Sequence, residues 1–259
     1  LQGRVGIVTG GGKGIGASAA ELLAGDGLSL ALVGRDEAVL RSRCELISNS
    51  HPEAELCPVG CDVTDEEQVA AMTALVASRF GRIDILVNAA GGTGPIETPA
   101  VDYQAEDFMA ILRLNVLGTF LPSKHVIPHM VAAGGGRIVN VAGTSGLRGY
   151  PNRSGYSASK WAVRGLTRTL ALELGRHGIT VNDVCPNVTH GARMENIVRV
   201  KAEKTGRTEE EVYADFATQT ALGRFVEEQD VAAAIHFLCS ESARSITGHD
   251  LPVDAGWDV

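Results

Sequence analysis

Short apolar, β-branched runs alternate with longer helical patterns along almost all of this 259-residue chain, and that alternation sets the fold class. Segments 4–9, 28–33, 55–60, 83–88, 137–141, 179–185 and 249–253 read as strands. Helical patterns fill 14–24, 36–48, 65–80, 102–130, 155–177, 192–217 and 227–240. Thr64 is the expected N-cap of the third helix, and Pro122 and Pro128 are expected to kink or end the fourth. Strands this free of polar residues have no face to give to water, so they imply a parallel sheet covered on both sides. The expectation is an α/β fold: one doubly wound parallel sheet of about seven strands with helices on both faces. With no repeat, low-complexity stretch or linker, residues 1–259 are expected to form one domain.

The first strand runs directly into Thr9-Gly10-Gly11-Gly12-Lys13-Gly14-Ile15-Gly16 and then a helix. Glycines at such a turn let backbone approach a pyrophosphate, while the helix start offers free N–H groups and the positive end of its dipole. A second signal lies at Tyr156 and Lys160. Four residues apart on a helix, they share one face. An ammonium beside a phenol favours the phenolate, a group able to exchange a proton with a substrate oxygen. Alone, Y-x-x-x-K is weak.

Composition narrows the alternatives. A net charge of −8 argues against nucleic acid as a partner, since phosphate binding needs a basic face. No apolar run approaches the length of a membrane span, and no leader pattern opens the sequence. Cys44, Cys57, Cys61, Cys185 and Cys239 are scattered and odd in number, which fits reduced thiols in the cytoplasm. His125 and His129 have metal-pair spacing, but no third ligand accompanies them, so no metal is expected.

Taken together, Gly10, Gly14 and Gly16 in a T-G-x-x-x-G-x-G turn, Asn88-Ala89-Ala90-Gly91 after the fourth strand, Asn115, and the Tyr156/Lys160 pair resemble the short-chain dehydrogenase/reductase family. Cys61-Asp62-Val63, Pro186 and the Gly248 to Gly256 ending extend the resemblance over essentially the whole chain. It implies a Rossmann-type fold and an oxidoreductase interconverting a carbonyl and an alcohol with a nicotinamide cofactor. By that resemblance Tyr156 is the acid and base, Lys160 supports it and holds the nicotinamide ribose, and Asn115 places a water. Gly10, Gly12, Lys13, Gly14, Ile15, Gly16, Asp62, Val63, Asn88, Ala89, Gly91, Pro186, Asn187 and Thr189 would hold the cofactor, with Asp62 and Val63 flanking the adenine.

The second strand ends at Gly34, where NAD-preferring relatives carry an acid, and Arg35 follows. Arg35 and Lys13 would pair with a 2′-phosphate, so NADP(H) is expected ahead of NAD(H), with Asp36 either neutralising Arg35 or capping the next helix. The family's active-site serine stands thirteen residues before the tyrosine; here that position is Gly143. Loss of such a donor costs roughly 10²–10³ in turnover. Three readings remain open: Thr144 or Ser145 donates instead, Gly143 is an inactivating replacement of a serine, or the protein has drifted toward weak or different work such as epimerisation or dehydration. Asn187 and Gly191, where relatives place glycine and threonine, favour divergence.

Residues 188–225 are expected to form a lid over the substrate, with Thr208 and Glu211 as a capping box. Arg193, Arg199, Lys201, Lys204 and Arg207 either meet an anion or are balanced by Glu203 and Glu209 to Glu211. Gly92, Arg148, Tyr150, Asn152, Arg153 and His190 stand near the expected entrance, suggesting a small polar or oxygenated substrate. Family likeness also implies a homotetramer, with a homodimer as second choice.

Overall fold

The computed structural model describes residues 1–257. Seven strands, β1 (Val5–Thr9), β2 (Ser29–Gly34), β3 (Leu56–Gly60), β4 (Ile85–Asn88), β5 (Gly136–Val141), β6 (Ile179–Pro186) and β7 (Asp250–Val253), form one sheet in the order β3-β2-β1-β4-β5-β6-β7. Every pairing is parallel. The order reverses between β1 and β4, leaving a crevice at the carboxyl ends of those strands, the usual ligand position in such sheets.

Alternation along each strand divides the core in two. Val8, Leu30, Leu32, Val87, Val139 and Val184 face α1 (Gly14–Gly25), α2 (Glu37–Ser50) and α9 (Glu228–Cys239). Val5, Ile7, Ala31, Val33, Leu86, Ile138 and Val181 face α3 (Glu66–Phe80), α5 (Gly118–Ala132) and α6 (Ser154–Leu174). The chain between β6 and α9 folds into α7 (Ala192–Thr205) and α8 (Glu209–Thr218) over a small apolar cluster of their own. No helix among the described residues is long and apolar enough to cross a membrane.

One local expectation needs correction, and one of two alternatives for another falls. Asp65, not Thr64, caps α3, its carboxylate accepting the Gln68 N–H. Thr64 is already engaged, giving both its N–H and its hydroxyl to Asp62. Nor do the prolines end the fourth helical region: Pro122 and Pro128 both lie inside α5, which runs on to Ala132. The break comes earlier, where a π-helical turn at Arg113–Leu117 separates α4 (Ala105–Leu112) from α5. A π turn inserts one residue into the helical ladder and re-aims a side chain; here it carries Asn115.

Candidate active site

The cleft above β1, β4, β5 and β6 encloses about 460 Å³. One side is backbone. Gly10 has φ +67°, and a Cβ there would stand 2.8 Å from the Ala90 nitrogen. A Cβ on Gly16 would lie 2.4 Å from the Gly10 carbonyl oxygen, so only glycine lets α1 start this close to the turn. Lys13 precedes α1 and gives it no side-chain cap, leaving the first N–H groups open to the cleft. Gly10, Lys13, Gly14, Ile15, Gly16, Ala89 and Gly91 line this side. Such a bare cradle at a helix start fits the pyrophosphate of a dinucleotide.

Other residues expected on this side stand further back. Gly12 packs under Val39 and Leu40. Asn88 is buried and donates to Asn140 Oδ1 at 2.8 Å and Ser123 Oγ at 3.1 Å, tying β4 to β5 and α5. Asp62 holds the Thr64 turn, and Val63 is buried against Gly118. Arg35 is exposed at the end of β2. Asp36 caps α2 by accepting the Val39 N–H at 3.2 Å.

The opposite side is built from side chains. Tyr156 and Lys160 share the inner face of α6, with the Lys160 nitrogen 5.7 Å from the Tyr156 ring centre. Lys160 is buried and donates to the Val141 carbonyl at 2.8 Å. Burial holds its pKa below the usual lysine range, against the opposing pull of Tyr156. Asn115 takes the Gly92 N–H on Oδ1 at 2.8 Å and donates to Ser159 Oγ at 2.9 Å, so it couples the β4 loop to α6. A Cβ on Gly91 would stand 3.0 Å from Asn115 Oδ1 and 4.0 Å from the Lys160 nitrogen, which places Asn115 and Lys160 around one glycine.

Gly143 has φ +102°, a conformation L side chains avoid. Space is not the obstacle: a Cβ there would lie 3.7 Å from the Tyr156 hydroxyl. Thr144 spends its proton on Asn187 Oδ1 at 3.1 Å. Ser145 lines the cleft, and its hydroxyl has no hydrogen-bond partner among the described residues. Pro186, Asn187 and Thr189 continue this wall, with the Thr189 hydroxyl donating to the Asn187 carbonyl at 2.6 Å.

α7 and α8 close the third side. Arg193 reaches across to the Gly91 carbonyl at 2.8 Å. Lys204 donates to the Ile96 carbonyl at 2.7 Å and Lys201 pairs with Glu97 at 3.2 Å, so with Arg193 three of the five basic residues fasten this segment to the β4 loop. Arg199 pairs with Glu203, and Arg207 with Asp215. His190 lies 3.2 Å from the Tyr213 hydroxyl and packs against Phe225.

Of the expected substrate residues, Tyr150, His190 and Arg193 line the cleft; Gly92, Arg148 and Asn152 do not. Arg148 stacks on Trp257 at 3.5 Å, and Asn152 donates to Glu97 at 3.2 Å. Tyr150 also stacks on Trp257, with ring centres 5.5 Å apart. Sequence reasoning passed over Glu97 and Glu228, and it reached Thr93, Met194, Ile197 and Phe216 only as members of the 92–96 stretch and the lid; all six line the cleft. No spacing signals them, because they arrive from four separate elements. Glu228 had one usable clue: it opens α9, and its carboxylate accepts from Ser18 of α1 at 3.3 Å. His125 faces Glu66, and no group of three or more side chains suited to a metal occurs among the described residues.

Comparison with known proteins agrees with this architecture. A family model described as enoyl-(acyl carrier protein) reductase matches residues 10–258. Levodione reductase of Leifsonia aquatica is 35% identical over 253 residues, covering 98% of this chain and 93% of its own. Xylitol dehydrogenase in its NAD+-bound crystal structure superposes with a TM-score of 0.94 at 32% identity, covering 98% of this chain and 99% of its own. An actinorhodin polyketide ketoreductase crystallised with NADPH gives 0.93 at 32% identity, covering 98% and 97%.

Proposed function

The chain belongs to the short-chain dehydrogenase/reductase family, and from that premise we propose that it is an NADP(H)-dependent reductase interconverting a carbonyl and an alcohol on a small, polar or oxygenated molecule. One arrangement carries this reading: the Tyr156–Lys160 pair lines the same cleft as the bare glycine turn at the start of α1.

The pyrophosphate would lie on Gly10, Gly14, Ile15 and Gly16, with Arg35 and Lys13 toward the adenosine ribose. Bound there, the nicotinamide supplies or accepts a hydride. Tyr156 gives its phenolic proton to the substrate oxygen in reduction and takes it back in oxidation. Lys160 keeps a positive charge against the phenolate that results, which favours the proton's departure. Ser145 is the hydroxyl left to polarise the substrate oxygen, because Thr144 is bonded to Asn187 and Gly143 has no side chain. Residues 188–225 serve as the lid, pinned by Arg193, Lys201 and Lys204, and exclude water from the closed site.

Exposed Met109 on α4, Phe120 on α5, and Trp161 and Leu172 on α6 support a homotetramer, or failing that a homodimer, and light scattering separates both from a monomer. Five free, buried cysteines fit a cytoplasmic protein.

The test is consumption of NADPH and of NADH against a broad carbonyl panel, beside the dissociation constant of each nucleotide. Turnover with NADPH and tighter NADPH binding support the reading. Equal or tighter NADH binding overturns the cofactor preference alone. Gly143 favours a second reading, epimerisation or dehydration; product formed with no net change in cofactor would select it.

A further inference from the structure

Among the described residues, four lysine and arginine side chains line the cleft, and three have evident tasks. Lys13 stands at the glycine turn. Lys160 is bonded to the Val141 carbonyl, and Arg193 to the Gly91 carbonyl. The fourth is Arg153, immediately before α6. It is only 7% exposed, and its guanidinium carbon lies 4.7 Å from the centre of the Tyr156 ring. Among the described residues it forms one hydrogen bond, to the Thr93 carbonyl at 3.2 Å, and its Nε is buried without a partner. The nearby carboxylate, Glu97, is already taken by Asn152 and by Lys201 at 3.2 Å each. A buried cation with no ion pair is costly unless an anion arrives to meet it.

We propose that Arg153 is the anchor for a substrate carboxylate, and that the natural substrate is an oxo acid or hydroxy acid with an apolar remainder. The inference rests on the carbonyl-reductase reading and names its substrate class. A guanidinium holds a carboxylate through a planar pair of hydrogen bonds, and its position over the Tyr156 ring sets the acid beside the reacting carbonyl. Met194, Ile197 and Phe216 line the same cleft and give the rest of the molecule an apolar wall. The carboxylate itself makes and breaks no bond.

The experiment compares kcat/KM for phenyl-substituted 2-oxo, 3-oxo and 4-oxo acids, each beside its methyl ester, which keeps the shape and removes the charge. At least one acid is expected to exceed its ester by about 100-fold. Arg153→Met should erase that ratio, while Arg153→Lys keeps part of it. Esters matching their acids at all three spacings overturn the proposal in the unaltered protein, whatever becomes of the variants. So does an acid preference that survives Arg153→Met. If no carbonyl is turned over with either nucleotide, the reductase reading fails separately, and calorimetry with 4-phenylbutanoate then judges the anchor. Binding that Arg153→Met abolishes supports it, and no binding overturns it.

Discussion

The β1–α1 side of the cleft is made of backbone, whereas the β5–β6 side is made of side chains. At Gly10 and Gly16 the approach is so close that a single added carbon would clash, and the surface offered to a ligand is N–H groups and empty space. Across the cleft, the side chains are held by hydrogen bonds reaching across the sequence: Asn115 donates to Ser159, Lys160 to the Val141 carbonyl and Thr144 to Asn187. The cores beneath differ in the same way. Under β1 and β2 the packing is apolar. Under β4, β5 and β6 a buried polar chain runs from Asn88 through Asn140 and Thr167 to Asp183. A backbone cradle tolerates little substitution and serves a ligand with fixed chemistry. A side-chain wall can exchange its members, and that is where Gly143, Asn187 and Arg153 stand.

The comparison breaks most sharply at Tyr156. Tyr156→Phe removes the transferable proton and leaves the glycine turn untouched. Turnover is expected to fall about 10³-fold, with a much smaller change in the NADPH dissociation constant. Equal losses in both would mean that the two sides are not separable and that Tyr156 acts mainly through cofactor binding.

The next effect sharpens the question of the donor. Ser145→Ala is expected to lower kcat about 100-fold. Gly143→Ser adds a hydroxyl within reach of Tyr156 but forces a side chain onto φ +102°, at a cost of about 1–3 kcal/mol in stability. It should therefore lower the thermal midpoint without raising turnover. A gain near 100-fold in Gly143→Ser would mean that the glycine is a defect, and that Ser145 has not taken the role.

The same contrast explains what could be read from the sequence. The glycine turn, the strand-helix alternation and the Tyr156–Lys160 face are local patterns, fixed by spacing along one or two elements, and they stand where expected. Thr64 is a good cap by residue type, but Asp62 takes its N–H and hydroxyl, and Asp65 caps the helix instead. Proximity to Tyr156 along the sequence points Arg148 and Asn152 toward the cleft. Trp257, 109 positions beyond Arg148, and Glu97, 55 positions before Asn152, draw them away. Arg153, between the same neighbours, becomes distinct only once the burial and bonding around it are seen.

The polar core that sets the side-chain wall apart is tested through stability rather than turnover. Asp183 on β6 is fully buried, accepts from Thr167 at 2.6 Å, and has no donor on its second oxygen. Burial pushes its carboxyl up to about 8; the Thr167 bond opposes this, and the charge of Asp250 adds to it. Arg164 and Arg168 hold Asp250 the other way, below the usual carboxylate range despite its own burial. Asp183 is thus raised in the folded state relative to about 3.9 in the unfolded chain. The folded protein keeps a proton that the unfolded chain releases between these values. Its contribution is complete below about pH 4 and is lost as pH climbs toward 8, at no more than ~1.4 kcal/mol per pH unit. Asp183→Asn keeps the neutral shape at every pH and supplies a donor toward the unpartnered side. Urea midpoints should be similar for the two proteins near about pH 4, with the variant increasingly the more stable toward about pH 8. Parallel slopes would mean that Asp183 is ionised in the folded protein, with its charge carried by Lys160 and Arg164, and the wall would then rest on an ion network rather than on a neutral hydrogen-bonded chain.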